Sequence, residues 1–157
     1  MKTSVFLITQ LAWLAPTVHA QDIRGVWKQV EITISAGPDS GWHIQDVQPG
    51  LLVFTNGYYS ALQVEGFTPR PMLGPNPTDE EAARVWRPFA ANAGTYVLRG
   101  STLLLTAMVA KNPGGMLGGT RTVQARMVAD SLWLTSRDPR GVVRQWKWVN
   151  MERYPVR

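Results

Sequence analysis

The chain has 157 residues, 45% of them hydrophobic, and 16 Lys/Arg against 11 Asp/Glu give a net charge of +5. It has no cysteine and two histidines, which excludes thiol nucleophiles, iron–sulfur clusters, disulfides and the usual zinc shells, so no metal and no cofactor is expected. The charge excess gathers late, with eight Lys/Arg from Thr120 onward against Asp130, Asp138 and Glu152, and reads as a solvated basic exterior rather than a nucleic-acid surface.

The first element, Met1–Ala20, has the pattern of a secretory signal. Lys2 is followed by an apolar stretch from Val5 to Ala15, then Pro16 and the small-residue sequence Val18-His19-Ala20. The stretch is too short for a spanning helix of about 20 residues, and no later segment could span a bilayer. Cleavage after Ala20 leaves residues 21–157 as one domain, exported to the periplasm or the medium and large enough for a core. Only His43 then remains.

"RGVWKQVEITI", Arg24 to Ile34, is the first strand. "GLLVFT" (Gly50–Thr55) and "YYSALQVE" (Tyr58–Glu65) flank Asn56-Gly57, the strongest short hairpin signal. The Pro/Gly stretch Gly66–Thr78 can be neither helix nor central strand. Thr78-Asp79-Glu80-Glu81 then reads as a capping box, opening a short helix with Ala82, Val85, Trp86 and Phe89 on one stripe and a stop before Pro88. "GTYVL" (Gly94–Leu98), "TLLLTAMVAK" (Thr102–Lys111), "TRTVQARMV" (Thr120–Val128), "SLWLTSR" (Ser131–Arg137) and "VVRQWKWVNMER" (Val142–Arg153) follow, joined mostly by tight turns. Eight consecutive antiparallel strands predict an all-β fold: a closed up-and-down barrel with one short helix between the third and fourth strands.

In order along the chain, "GVWKQVE", "GLLVFTNGYYS", the acidic helix, "NAGTYVLRGSTL", "KNPGGMLGGTRTVQ" and the terminal "MER" resemble the small bacterial and fungal lipocalin-like domain family, related to the calycins. The resemblance implies an eight-stranded barrel with a cavity and supplies no shared catalytic residues. It also implies that Trp27 sits inside the closed end with Arg153 lying across it, a cation–π contact. Typical members carry polar or histidine residues midway along the fifth strand, where this chain has Leu104-Leu105-Thr106, and a tryptophan where it has Met151. Histidine-dependent activity of relatives is therefore not expected here.

Alternation along the first strand leaves two options. If Trp27 points inward, so do Gln29, Glu31 and Thr33, while Val26, Val30 and Ile32 face out. Periodicity alone favours the reverse; the resemblance favours an inward Trp27, which is adopted. On the other strands Leu52, Phe54, Tyr59, Tyr96, Leu98, Leu105, Met127 and Leu132 then line the interior. Glu31, Phe54, Tyr59, Tyr96, Leu105 and Met127 become the candidate ligand contacts, and Glu31 the single candidate general acid or base, unless it pairs with an inward Lys147. Trp146 and Trp148 alternate with Arg144, Gln145 and Lys147, a pattern that can stack single-stranded nucleic acid. In an exported protein an outward pair of rings suits a second subunit better, so a homodimer is one expected arrangement. The leading expectation is a binding barrel for a small, mainly apolar molecule. The alternatives are a cofactor-free cyclase, isomerase or hydratase using a cavity carboxylate, and an envelope interaction protein with a filled barrel.

Overall fold

The computed structural model describes residues 22–38, 40–116 and 119–152; Met1–Ala20, expected to be a signal, and Arg153 lie outside them. The strands are β1 (Gly25–Ala36), β2 (Trp42–Ile44), β3 (Gly50–Phe54), β4 (Tyr58–Val64), β5 (Phe89–Arg99), β6 (Thr102–Ala110), β7 (Thr120–Val128), β8 (Ser131–Arg137) and β9 (Val143–Asn150). One α-helix, α1 (Asp79–Trp86), precedes β5, and a 3₁₀ turn (Pro113–Met116) follows β6.

Each strand from β3 to β9 pairs antiparallel with the next, and β9 returns to β1 from Trp27↔Asn150 to Ala36↔Val143. The result is the expected all-β, closed eight-stranded ring, which leaves no long edge open. The short β2 stands outside that ring. It pairs with Ile32–Ile34 of β1 on the side where β3, which reaches only Gly25–Lys28, has already turned away. Three residues are too few to announce a strand by pattern, and counting this one moves the helix. It lies after the fourth strand and before the fifth, not between the third and fourth.

The capping box forms as its sequence requires. Thr78 Oγ1 accepts from the Glu81 N–H at 3.2 Å, and the Thr78 N–H donates to Glu81 Oε2 at 2.8 Å. The helix ends at Trp86, but Phe89 belongs to β5 instead of the helical stripe, and no helix residue is buried. Lys111, at the end of β6, holds the helix C-terminus. Its ammonium donates to the carbonyls of Trp86 and Arg87 and lies 5.2 Å from the Trp86 ring centre, a cation placed where the helix dipole favours one.

The two ends of the ring differ. At one end β3–β4, β5–β6 and β7–β8 are joined by tight turns, including Asn56-Gly57 with Gly57 at φ +79°. At the other end lie all the long connections, residues 37–49, 65–88 and 111–119, together with the Asp138–Gly141 turn. Large side chains fill the tight end: Trp27, Leu52, Phe54, Tyr59, Leu103, Leu132 and Trp148 share one cluster with Ile23. Trp27 is 1% exposed, and its indole N–H donates to the Ile23 carbonyl at 2.9 Å. The segment before β1 therefore turns beneath the tryptophan and plugs the floor with Ile23, a contact the sequence pattern did not announce.

Candidate site at the broad end of the barrel

The alternation of β1 resolves into both options at once. Gln29 lies opposite Trp148 and Glu31 opposite Lys147, so two steps on β1 match one on β9 and Val30 is a β-bulge. Parity reverses there. Trp27 and Gln29 face the interior with Asn150 and Trp148. Past the bulge, Ile32 and Ile34 face in with Trp146 and Arg144, while Glu31 and Thr33 face out.

Glu31 consequently does not reach the lumen. It sits on the outer wall, buried against its neighbours, with Lys147 Nζ at 4.0 Å and His43 Nε2 at 3.7 Å. The Lys147 pairing weighed from the sequence is real, but on the opposite side of the sheet. Lys147 Nζ also lies 5.1 Å from the Trp133 ring centre, which has the Arg126 guanidinium 5.6 Å away. The interior reading of Glu31 as a general acid or base loses its geometry. Trp146 and Trp148 are inside as well, so they form no outward patch for a second subunit.

The interior-facing residues of the other strands fall where alternation put them, but they divide between two surroundings. Phe54 and Tyr96 meet edge to face at 4.9 Å in the filled end, and the Tyr96 hydroxyl donates to the Thr55 carbonyl at 2.9 Å. Met127 packs against the same cluster. Among the candidate ligand contacts only Tyr59 and Leu105 border open space.

That space is a cavity of about 620 Å³ at the broad end, within the size range of small-molecule sites. Small residues make the room: Ala90, Ala107, Ala110 and Gly115 stand where larger side chains would fill the barrel. Tyr59 and Leu105 lie deepest, Phe89 and Pro113 contribute apolar surface near the mouth, and Arg87, Lys111, Asn92, Asn112, Glu65 and Arg121 add polar groups. The cavity is thus more charged than the apolar lumen expected from the sequence.

Arg121 was missed. It faces inward because it pairs with Leu105 and shares a parity with Val123, Ala125 and Met127. Its guanidinium carbon lies 5.7 Å from the Trp146 ring centre. It retains contact with solvent through the cavity, yet protein on most sides desolvates it and holds its pKa below the usual arginine value, with Tyr59 and Glu65 opposing that shift. Burial likewise pushes the Tyr59 phenol above its ordinary value, with Arg121 pulling the other way.

Deeper in the barrel, Gln29 is 2% exposed, and neither its amide oxygen nor its nitrogen has a hydrogen-bond partner among the described residues; the Trp148 indole N–H is in the same position. Gln29→Met should accordingly raise the unfolding free energy by about 1–3 kcal/mol, since a similar shape is kept and two buried polar atoms are removed. A urea unfolding midpoint that falls would show that Gln29 contributes a bond in solution.

No family model and no curated protein matches this chain. Among solved structures, a redesigned beta barrel aligns with a TM-score of 0.42 at 8% identity, covering 81% of this chain and 90% of that one. At that level it adds nothing to what strand pairing already establishes: an eight-stranded antiparallel barrel, filled at one end and hollow at the other. Among the described residues no helix is long and apolar enough to cross a membrane.

Proposed function

We propose that the chain is an exported, lipocalin-like binding barrel that takes a small, mainly apolar molecule into the broad-end cavity. The observation that carries this reading is the cavity itself, about 620 Å³ deep against Tyr59 and Leu105, in a barrel whose other end is packed solid. A barrel serving only as a structural block would gain stability from larger side chains at Ala90, Ala107 and Ala110, because interiors are otherwise close-packed. The signal-like Met1–Ala20 supports export, and the ordered motifs from Gly25 onward support the lipocalin-like assignment. Catalysis by a cavity carboxylate is the weaker reading, because Glu31 points away.

Retention of a neutral environment-sensitive dye such as Nile red tests the proposal. The wild type should bind it with micromolar affinity or better, and Ala107→Trp, which places an indole in the cavity, should weaken binding at least about tenfold. The circular dichroism of the variant should keep the barrel signature. Failure of the wild type to bind any apolar probe would remove the proposal.

A further inference from the structure

We infer that Arg121 is an anion anchor, so that the molecule held in the cavity is an amphiphile carrying one acidic group, a carboxylate by preference. The inference rests on the cavity being a ligand site and goes further by naming the class of ligand. Arg121 lines the cavity, and its guanidinium makes no hydrogen bond or ion pair with any described residue. The Tyr59 hydroxyl, on the same cavity wall, is also without a hydrogen-bond partner among the described residues, although Tyr59 is only 5% exposed.

Arg121 is turned into the cavity by its register with Leu105 and stays open to solvent there, so its N–H groups are accessible to an incoming anion. Here the acidic group that faces it is Glu65, which forms no ion pair with it. Other cations raise the local potential further: Arg144 is close enough to depress Arg121, and Arg87 lines the mouth. The Trp146 ring lies beside the guanidinium, 5.7 Å from its carbon to the ring centre, and the guanidinium's paired N–H groups match a planar two-oxygen acceptor. A carboxylate is such an acceptor, Tyr59 can donate a further hydrogen bond, and Leu105 and Phe89 offer apolar surface for the body of the molecule.

Decanoate and decanol, which share a chain and differ in charge, are the probes, followed by isothermal calorimetry at neutral pH. The wild type should bind decanoate about ten- to hundredfold more tightly than decanol, the range of a charge-assisted hydrogen bond. Arg121→Gln should abolish that difference, weakening decanoate far more than decanol, and Arg121→Lys should restore part of it. Glu65→Gln should act in the opposite direction, widening the preference for decanoate over decanol a few-fold. It keeps the test open if the Arg121 variants do not fold. Equal binding of the two probes by the wild type, or an undiminished preference in Arg121→Gln, would overturn the anion anchor and leave the cavity reading standing. Binding of neither probe would overturn both.

Discussion

Trp27→Ala is expected to lower the unfolding free energy by about 3–5 kcal/mol, the usual cost of removing a large aromatic from a packed core. Trp27 is among the largest fully buried side chains, at the centre of the cluster that closes the tight end. Its loss has a second component. The indole N–H holds the Ile23 carbonyl, and Ile23 is itself fully buried beneath it. Without the ring, the plug loses both its roof and its hydrogen bond. Trp27→Phe separates the two contributions: it keeps most of the apolar volume and gives up the bond, for about 1–2 kcal/mol. Chemical unfolding followed by circular dichroism measures both variants. Because a domain of this size has only about 5–15 kcal/mol in total, the alanine variant should unfold at markedly lower urea. A loss below about 1 kcal/mol would mean that this ring does not seal the floor.

Gly94→Ala is expected to destabilise by at least about 3 kcal/mol for a different reason. Between β5 and β6 the register runs Ala93↔Val109 and then Gly94↔Ala107, so Met108 is a bulge in β6. There the two backbones come so close that a Cβ on Gly94 would lie 2.0 Å from the Thr106 carbonyl oxygen and 2.8 Å from the Met108 nitrogen. Neither obstacle is the flexible end of a side chain, so relief requires β5 and β6 to separate and their pairing to weaken. Gly74→Ala is the matched control: its Cβ would meet nothing within 4 Å, and its cost should stay within about 0.5 kcal/mol. Because Ala107 lines the cavity beside this bulge, any Gly94→Ala protein that folds should also bind Nile red less tightly.

The bulges mark the boundary of what the sequence made legible. Turn chemistry is local, so Asn56-Gly57, the capping box at Thr78 and the Asp138 turn, where the Asp138 carboxylate accepts from the Arg140 and Val142 N–H groups, were all readable from neighbouring residues. Alternation within β3 to β9 was readable for the same reason, and it placed Leu52, Phe54, Tyr59 and Leu132 in the interior correctly. A bulge is different: it is a mismatch between two strands far apart in sequence, here Val30 against the Trp148–Lys147 step. No pattern within β1 reports it, which is why Glu31 was placed on the wrong side while Trp27 was placed on the right one.

Arg121 is the instructive omission, because the signal for it existed. Once Met127 is assigned inward, period-two counting places Ala125, Val123 and then Arg121 on the same face. The late run of Arg and Lys is not all exterior: Arg121 on β7 and Arg144 on β9 are both turned inside. The cavity itself was less accessible. It depends on small residues from β5, β6 and the connection after β6 meeting across the lumen, a coincidence fixed by the closed pairing order rather than by any single segment.

The floor has a further consequence. The described chain enters at Asp22 and leaves at Glu152 on the same side: the Met151 N–H donates to the Val26 carbonyl at 2.8 Å, and a Cβ on Gly25 would lie 3.2 Å from the Glu152 carboxylate. A tether or fusion partner joined at either terminus of the barrel departs from the face opposite the mouth. A graft attached at Asp22 or Glu152 would therefore join the barrel at its packed floor, at the end away from the cavity.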